Sequence, residues 1–582
     1  MWTTGCRARL RRAAPWFWHD AVVPYTDAPM LPAVLAAVIL TNGKIWTGDA
    51  QRPWAEAVRI EGNRIVAVGS GAEIGNDGSI IDLKGRLALP GFIDNHTHFI
   101  DGGFELSRVH LRDAATPQEF ARRIGEYAKK IGPGKWIVGG EWDQTIWNPP
   151  ALPTRQLIDA VTPQNPVFVS RLDGHMGLAN SLTLKMANVT RETPDPPGGT
   201  IVRDANGEPT GILKDAAQSF VDRVIPSATT EERVAAARAG LTEAARFGVT
   251  AFGDMSSGEA YEDFRAYQRL EQNGNLTARV CLYTPILEYK RLIAASVEKA
   301  FGGDRLRIGG LKGFADGSLG SSTAAMFEPF SDDPKNRGLM RAAMTDGRMK
   351  SAVADADAHN LQIAIHAIGD RANDEVLKIY ESISNVRDRR FRIEHAQHLN
   401  QDLIKRFAAD RVIASMQPYH AIDDGRWAEA KIGHERAQWT YAFRSLLDAG
   451  AIVTFGSDWT VAPLNPILGI YAAVTRRTID GKNPNGWIPE QKITVEEALR
   501  CYTANNAYAM FRENEIGEIA PGMFADIAVL SDDIFTIPLE KIENAKVDIT
   551  IFNGRVIYER AASPGGASRT SESSRRSTGP LN

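Results

Sequence analysis

The stretch Leu87-Ala-Leu-Pro-Gly-Phe-Ile-Asp-Asn-His-Thr-His98 decides how the rest of the sequence is interpreted. Pro90-Gly91 is typical of a turn, and Phe92-Ile93 begins a short apolar run of the kind that forms a buried strand. Residues i and i+2 of a strand point to the same side, so His96 and His98 can aim at one point in space. Imidazole is a preferred ligand of zinc and similar divalent ions. Such a pair also occurs in surface loops, so a metal site requires further ligands elsewhere in the chain.

The composition indicates a large globular protein. The chain has 582 residues, which suggests two or more domains or one large α/β barrel with additions. A net charge of −4 does not favour nucleic acid or an anionic membrane as a partner. The cysteines Cys6, Cys281 and Cys501 form no CxxC pair, so neither a disulfide framework nor a thiolate zinc site is indicated. No apolar run reaches the roughly 18 residues of a transmembrane helix, and we expect a cytoplasmic protein.

Both ends of the chain carry short alternating strands. Asn42-Gly43, Gly62-Asn63 and Asn553-Gly554 are each typical of a β-hairpin turn. Neither terminal set is long enough to build a core alone, so we expect residues 37–90 and 515–560 to form one small composite β-sandwich. Two separate β appendages are the alternative.

The extreme termini carry little that can pack. Residues 1–36 contain several arginines before any acidic residue, but their apolar stretch is interrupted, so a secretory signal is disfavoured. We expect a disordered extension there, or a start codon placed too early. Residues 561–582 are rich in Ser, Gly and Arg and are expected to form a disordered tail.

Between the two ends, helices alternate with short apolar strands. Residues 229–248 have a threonine N-cap, an acidic first turn and a terminal glycine, and predict a helix followed by a strand at 249–254. Similar strands are predicted at 305–314, 361–366, 391–395, 411–417 and 451–458. This alternation predicts parallel βα units and favours a (β/α)8 TIM-type barrel of the α/β class over an open sheet. We expect the barrel to occupy residues 91–514, with an insertion around 135–215.

Several of the predicted strands end in side chains that can bind a metal. The C-terminal ends of barrel strands meet at the face that carries the active site. The residues that this topology brings together are His96, His98, Lys312, His366, His395 and Asp458. Each one alone has an ordinary structural explanation. Four of the eleven histidines of the chain at such positions together indicate a metal site.

The order of these motifs resembles the amidohydrolase superfamily. Four longer phrases are similar to its amidohydrolase-3, YtcJ-like group, which includes N-substituted formamide deformylases. They are Leu311-Lys-Gly-Phe-Ala-Asp-Gly-Ser-Leu-Gly-Ser-Ser-Thr-Ala324, His366-Ala-Ile-Gly-Asp-Arg-Ala372, Arg392-Ile-Glu-His-Ala-Gln397 and Gly456-Ser-Asp-Trp459. The resemblance runs from about residue 38 to residue 558, and it is much more specific for the family than for a substrate.

The resemblance implies a site for two divalent metal ions, with zinc as the expected metal. His96 and His98 would bind the first ion, and His366 and His395 the second. Lys312 would bridge the two ions as a carbamate formed with CO₂, because burial beside cations lowers the pKa of its amine and frees it for carboxylation. If Lys312 is unmodified, a site for a single ion is the alternative.

The resemblance also assigns the chemical role of Asp458. This residue would contact a metal, take a proton from the attacking water and deliver it to the leaving nitrogen. Three further residues are candidates for substrate binding: His175, Asp316 and Trp142. Turn structure for Asp316 and core packing for Trp142 are the alternatives.

The sequence therefore predicts a metal-dependent hydrolase that uses a metal-activated water to cleave a non-peptide C–N bond, of the amide or N-formyl amide type, in a small molecule. A deaminase or cyclic-amide hydrolase on the same barrel is one alternative. We expect Glu394, which would be the acid of a deaminase, to point away from the site because it precedes His395 in a strand. A non-catalytic binding or regulatory scaffold is the other alternative. No nucleic-acid or membrane partner is expected, and a homodimer is left open.

Overall fold

The computed structural model describes residues 37–171, 176–196, 199–256 and 259–561. The strands are β1 (Val38–Thr41), β2 (Lys44–Trp46), β3 (Trp54–Ala55), β4 (Ala57–Glu61), β5 (Arg64–Gly69), β6 (Ser79–Asp82), β7 (Leu87–Pro90), β8 (Phe92–Thr97), β9 (Ile137–Trp142), β10 (Val167–Arg171), β11 (Met176–Ala179), β12 (Gly199–Arg203), β13 (Pro209–Asp215), β14 (Val249–Asp254), β15 (Arg279–Pro285), β16 (Phe301–Gly302), β17 (Leu306–Phe314), β18 (Ile363–Ala367), β19 (Arg392–His395), β20 (Ile413–Met416), β21 (Val453–Phe455), β22 (Ile527–Leu530), β23 (Val547–Phe552) and β24 (Arg555–Glu559).

The α-helices are α1 (Gly71–Ile74), α2 (Phe99–Glu105), α3 (Pro117–Ile131), α4 (Gln156–Asp159), α5 (Ser181–Met186), α6 (Ser219–Asp222), α7 (Thr230–Arg246), α8 (Ala260–Gln272), α9 (Tyr289–Ala294), α10 (Ala342–Thr345), α11 (Arg348–Ala358), α12 (Asp370–Glu381), α13 (Gln401–Asp410), α14 (Pro418–Asp424), α15 (Ala428–Ile432), α16 (His434–Ala437), α17 (Phe443–Asp448), α18 (Pro466–Thr475), α19 (Val495–Cys501) and α20 (Ala504–Ala509). Short 3₁₀ helices span Gln144–Ile146, Ala216–Gln218, Ile286–Glu288, Val386–Asp388, Pro489–Gln491 and Leu539–Asn544.

Eight parallel strands of the described chain form a sheet that is almost closed into a barrel. Their order is β8-β14-β15-β17-β18-β19-β20-β21, and each neighbouring pair is parallel. The last strand meets the first where Thr97 pairs with Trp459 and where the amide of Asp458 donates to the carbonyl of His96 over 2.7 Å. The C-terminal ends of the strands therefore reach one face. The α/β barrel sheet predicted from the sequence is confirmed.

The helix predicted before the second barrel strand is also confirmed. It is α7, and the hydroxyl of its N-cap residue Thr229 accepts a hydrogen bond from the amide of Glu232. The barrel strand β15, which begins with the charged residue Arg279, was not predicted. Arg279 is nevertheless fully buried there, since its guanidinium pairs with the carboxylate of Asp526 at 2.7 and 3.0 Å.

Two smaller sheets contain the strands from both ends of the described chain. The larger has the order β24-β23-β22-β7-β2-β3, and the smaller has the order β5-β4-β1-β6. One apolar cluster joins Leu40 and Ile60 of the first part of the chain to Ile527 and Ile551 of the last part. Both chain ends thus contribute to a common core. That the two sheets form a β-sandwich stays a prediction.

Two of the three predicted hairpins are present. β4 pairs antiparallel with β5 around Gly62-Asn63, and β23 pairs antiparallel with β24 around Asn553-Gly554. The hairpin predicted at Asn42-Gly43 is wrong, because β1 and β2 belong to different sheets. Asn42 has a left-handed φ of 55°, so the chain does turn at this position as predicted. The turn carries the chain from one sheet to the other instead of pairing its flanking strands.

The segment that interrupts the barrel has a sheet of its own, with the order β12-β13-β11-β10-β9. Its core includes Phe120 and Trp142. Three predictions fall wholly or mostly outside the described residues: the N-terminal extension 1–36, the tail 561–582 and the role of His175. Within the described ranges, no helix combines the length and the apolar character needed to cross a membrane.

Candidate metal centre

The strand ends bring all six predicted ligands to one face of the barrel. His96 belongs to β8 and His98 follows that strand directly, while Asp458 lies shortly after the end of β21. Lys312, His366 and His395 lie in the C-terminal parts of β17, β18 and β19. His395 and Asp458 adopt left-handed φ angles of 73° and 57°. The chain leaves the regular strand conformation at these two positions, so strict alternation does not describe the directions of the side chains.

Asp458 lies at the centre of the group. Its Oδ1 atom is 3.4 Å from Nε2 of His96 and 3.3 Å from Nε2 of His98. Neither contact has hydrogen-bond geometry, so this buried oxygen has no hydrogen-bond partner among the described residues. Burial opposes ionisation of Asp458, but the nearby histidines outweigh it and hold the pKa of the carboxyl well below its usual value. A buried carboxylate oxygen without a partner, facing imidazole nitrogens, fits a bound cation.

Three buried side chains have the spacing that one divalent ion requires. Ligating atoms of His96, His395 and Asp458 all lie within 4.8 Å of one another. Metal–nitrogen and metal–oxygen bonds of about 2.0–2.2 Å can span such a group. Burial and the proximity of Lys312 lower the pKa of His96 to about 4. Burial and the proximity of His366 lower the pKa of His395 well below its usual value. Both rings are therefore neutral at pH 7, which is the form that binds metals.

Glu394 holds His96 in place. Its Oε2 atom lies 2.6 Å from Nδ1 of His96 and accepts a hydrogen bond from the hydroxyl of Ser415 over 2.7 Å. Arg392 donates to both carboxylate oxygens over 2.8 and 3.1 Å. Burial opposes ionisation of Glu394, but Arg392 and His96 outweigh it and hold its pKa well below the usual value. The expectation that Glu394 points away from the site was wrong. Its carboxylate orients the Nε2 atom of His96 toward the candidate metal position.

Gln417 holds His395 in a corresponding way. Its Oε1 atom lies 2.8 Å from Nδ1 of His395, so the Nε2 atom of that ring remains free for a metal. Gln417 was not among the residues predicted from the sequence. It follows β20 directly, so the strand-end rule that selected the histidines would have found it.

His366 lies beside His395 but is engaged elsewhere. The two rings have centroids 4.5 Å apart. The Nε2 atom of His366 lies 2.9 Å from the carbonyl oxygen of Gly317 and 3.4 Å from Oδ1 of Asp316. His366 is not part of the group with mutual ligand distances below 4.8 Å. The pairing of His366 with His395 on a second ion therefore stays a prediction.

Lys312 is buried between the histidines and the aromatic ring of Phe314. Its Nζ atom lies 3.3 Å from Nε2 of His96 and 5.0 Å from the centroid of the Phe314 ring. Burial lowers the pKa of Lys312 to about 8, although Glu394 and Asp458 oppose this shift. At neutral pH a larger fraction of Lys312 is therefore in the neutral amine form than for an exposed lysine.

Two of the residues predicted to bind substrate have other roles. The indole of Trp142 is fully buried in the core of the interrupting segment, where its Nε1 atom donates to the carbonyl oxygen of Val169 over 2.8 Å. Asp316 is also fully buried, and its carboxylate accepts hydrogen bonds from the amides of Ala325, Ile368 and Gly369. Asp316 therefore organises the loops around His366, and neither side chain is exposed to a substrate.

Comparisons with known proteins show the family of the chain. The Amidohydro_3 model of the amidohydrolase family matches residues 79–558. Protein LONG AFTER FAR-RED 3 of Arabidopsis thaliana is 38% identical over 546 residues, which cover 90% of this chain and 92% of that protein. An N-substituted formamide deformylase of Arthrobacter pascens is 28% identical, with 90% of this chain and 99% of that protein covered.

The fold comparison gives the same assignment. An uncharacterized metal-dependent hydrolase from Pyrococcus horikoshii is similar with a TM-score of 0.75 and 29% identity, and the match covers 87% of this chain and 99% of that one. The resemblance to the amidohydrolase-3 group inferred from the motifs is confirmed. Since the family model spans most of the sequence, including every barrel strand and all six converging side chains, the chain belongs to the amidohydrolase family.

Proposed function

We propose that this amidohydrolase cleaves a non-peptide C–N bond, of the amide or N-formyl amide type, in a small-molecule substrate. The observation that carries the proposal is the convergence of His96, His395 and the unpartnered Oδ1 atom of Asp458 in a buried group. The similarity to an N-substituted formamide deformylase over 90% of the chain supports the choice of bond.

The metal ligands are proposed from the same group. His96 and His98, whose Nε2 atoms lie 3.4 and 3.3 Å from Oδ1 of Asp458, would hold one divalent ion with that carboxylate. His395, which belongs to the group, would hold a second ion with the neighbouring His366. Lys312, in its carboxylated form, would bridge two ions, and zinc suits this set of nitrogen and oxygen donors. A bound ion would lower the pKa of a coordinated water and polarise the carbonyl oxygen of the substrate.

The side chains transfer the proton and orient the ligands. Asp458 is ionised at neutral pH and accepts a proton from the attacking water. When the C–N bond breaks, Asp458 returns this proton to the leaving nitrogen, so the products are a carboxylic acid and an amine. Glu394 and Gln417 keep the rings of His96 and His395 oriented throughout.

The arrangement of Glu394 argues against the deaminase alternative. A mononuclear deaminase needs a carboxyl group that can donate a proton. Glu394 is held as a carboxylate by Arg392 and is occupied by His96 and Ser415. It is therefore unsuited to act as a general acid at neutral pH.

The direct test combines metal analysis with a substrate screen. Purified protein is loaded with zinc, its metal content is measured by mass spectrometry, and a panel of N-formyl and N-acyl amines is assayed for amine release. We expect bound metal and turnover of at least one compound, and in His366→Ala the loss of turnover together with part of the bound metal. The matched control is His434→Ala, at an exposed position. Bound metal without turnover on any compound would overturn the hydrolase and favour the non-catalytic scaffold, while a fully active His366→Ala would overturn the assignment of ligands.

The supporting scaffold is also part of the proposal. We propose that residues 37–90 and 515–560 act as one β-sandwich beside the barrel of residues 91–514. The shared apolar cluster and the buried pair of Arg279 with Asp526 support this arrangement.

A further inference from the structure

His420 lies at the same face of the barrel as the candidate metal centre. It belongs to α14, which begins at Pro418, two residues after β20 ends at Met416. The C-terminal ends of barrel strands meet at the face that carries the active site. The imidazole ring of His420 is nearly parallel to that of His395, with an interplanar angle of 13° and centroids 6.4 Å apart. His420 is therefore a close neighbour of a candidate metal ligand.

The Nε2 atom of His420 is buried and has no hydrogen-bond partner among the described residues. Buried polar groups of folded proteins normally have a partner, so an unpaired nitrogen beside a reaction centre points to a ligand. In the described chain, the group whose ligating atoms lie within 4.8 Å of one another consists of His96, His395 and Asp458, and it does not include His420. This arrangement favours a contact of His420 with substrate over a role as a metal ligand.

Gln417 connects His420 to the candidate centre. The amide of His420 donates to the carbonyl oxygen of Gln417 over 3.2 Å, and Oε1 of Gln417 lies 2.8 Å from Nδ1 of His395. One residue therefore holds the backbone of His420 and also orients the ring of His395. Such a fixed position matters for a catalytic group, because a misplacement of about 1 Å can lower a rate by about a hundredfold.

A partly buried carboxylate lies beside His420. Asp424 is four residues further along α14, and positions i and i+4 share one face of a helix. Its Oδ2 atom accepts hydrogen bonds from the hydroxyl of Tyr441 over 2.6 Å and from Nε2 of Gln397 over 3.0 Å. Burial raises the pKa of Asp424, and the proximity of His420 opposes this shift. Asp424 is thus a close neighbour of His420 and is itself held in place.

We propose that Nε2 of His420 donates a hydrogen bond to the carbonyl oxygen of the substrate and stabilises the negative charge that this oxygen gains when water adds to the carbonyl carbon. An imidazole nitrogen that carries hydrogen can donate, whereas a carbonyl oxygen or an oxyanion can only accept. A donor that is already in place where charge develops stabilises the transition state more than the substrate.

The contact involves no proton transfer. The hydrogen stays on Nε2 of His420, while Asp458 takes the proton of the attacking water as proposed above. The charge on the oxygen disappears when the C=O double bond re-forms and the C–N bond breaks. This inference rests on the proposed C–N hydrolase activity and adds a catalytic residue to it.

The first test measures binding of a charged oxygen without turnover. Acetohydroxamate presents such an oxygen to divalent metal ions, and calorimetry gives its Kd for the zinc-loaded protein. His420→Phe keeps an aromatic ring but lacks the donor. We expect it to retain its zinc and to bind acetohydroxamate at least about tenfold more weakly, the effect of one charge-assisted hydrogen bond. His420→Gln, whose amide can place a donor near the former Nε2 position, should restore part of the affinity.

The second test is kinetic and uses the best substrate of the panel. We expect His420→Phe to lower kcat by about 10²- to 10³-fold with little change in KM, because the contact strengthens only in the transition state. His420→Gln should recover part of kcat. The matched control in both tests is His434→Phe, the same substitution at an exposed position, which should behave as the wild type.

The two tests separate failure of this inference from failure of the proposed function. If no compound is hydrolysed but acetohydroxamate binding depends on His420, the contact stands and the hydrolase proposal falls. If compounds are hydrolysed and His420→Phe leaves kcat unchanged, with or without a higher KM, the contact is wrong and the hydrolase proposal stands. Loss of zinc from His420→Phe would make His420 a metal ligand and overturn the inference, and so would a wild-type protein that holds zinc but does not bind acetohydroxamate.

Discussion

The carboxylate of Glu394 lies 2.6 Å from Nδ1 of His96, although the two residues are 298 positions apart in the chain. The contact exists because Glu394 faces the barrel interior, where Arg392 and Ser415 also reach it. His395 nevertheless reaches the metal centre as well, since its φ of 73° turns the chain away from the strand. Glu394 therefore has two roles. It forms a buried ion pair with Arg392, and it orients His96, a candidate metal ligand.

Replacement of this carboxylate should affect both stability and metal binding. Glu394→Gln removes the charge that compensates the fully buried Arg392. We expect the free energy of unfolding of the metal-free protein to fall by about 3–5 kcal/mol, measured by urea denaturation. We expect metal affinity to fall by about 10- to 100-fold, measured by competition with a chelator, because His96 loses its charged acceptor.

Glu513→Gln is the control for this prediction. Glu513 pairs with Arg390 at 2.6 Å, but that pair is partly exposed to solvent. Its loss should cost about 1 kcal/mol or less and should leave metal affinity unchanged. Equal effects of the two substitutions on metal affinity would contradict the role assigned to Glu394.

The sequence predicted the barrel well because its signals are local. Apolar runs flanked by helices mark most of the barrel strands, and the strand-end rule selected His96, His395 and Asp458 before any distances were known. The error at Glu394 has a physical reason. Strand alternation assumes regular backbone angles, and the left-handed conformation of His395 cannot be inferred from a histidine in a strand-like run. Gln417 also follows a barrel strand, but it was not predicted because an amide is not a typical metal ligand.

Asp458 provides the most direct test of the catalytic assignment. Asp458→Asn retains the size of the side chain, and asparagine tolerates the left-handed φ of 57°, so the fold should be preserved. An amide cannot accept the proton of the attacking water. At saturating metal we expect kcat to fall by about 10²- to 10⁴-fold, in an amine-release assay with the best substrate of the screen.

The matched substitution is Asp448→Asn, at an exposed position. It should leave kcat within experimental error. Metal content of each variant, measured in parallel, distinguishes loss of the proton acceptor from loss of the ion. An Asp458→Asn protein with bound metal and near-normal kcat would remove Asp458 from the catalytic role.

Trp142 was predicted to bind substrate, but the structure places it in the core of the interrupting segment, and a substitution can test this assignment. Trp142→Phe leaves a cavity and removes the hydrogen bond to the buried carbonyl of Val169. We expect a loss of about 1–3 kcal/mol in the free energy of unfolding, with KM unchanged. Phe314→Leu should change KM instead, because the Phe314 ring lies 5.4 Å from the ring of His366 and 5.0 Å from Nζ of Lys312. A large rise in KM for Trp142→Phe, with an unchanged free energy of unfolding, would contradict the core assignment and indicate that Trp142 contacts the substrate.

His398 gives the protein a pH-dependent stability that does not require a metal. This histidine is buried, with Nδ1 lying 2.8 Å from the hydroxyl of Thr440, and burial together with Arg436 lowers its pKa to about 3. Between pH 6.5 and pH 3 the unfolded chain therefore binds a proton at this position that the folded chain does not. We therefore expect the free energy of unfolding to rise with pH across this window, by up to about 1.4 kcal/mol per pH unit.

The measurement is the free energy of urea unfolding of the metal-free protein at several pH values between 6.5 and 3. His398→Gln should reduce the slope by close to one proton relative to the wild type, whatever its effect on absolute stability. His434→Gln, at an exposed position, should leave the slope unchanged. The comparison of slopes cancels the contributions of the other buried histidines, His96 and His395, because they are present in both proteins. Identical slopes for wild type and His398→Gln would show that His398 takes up its proton equally in the folded and unfolded chains, which its burial between Thr440 and Gln397 argues against.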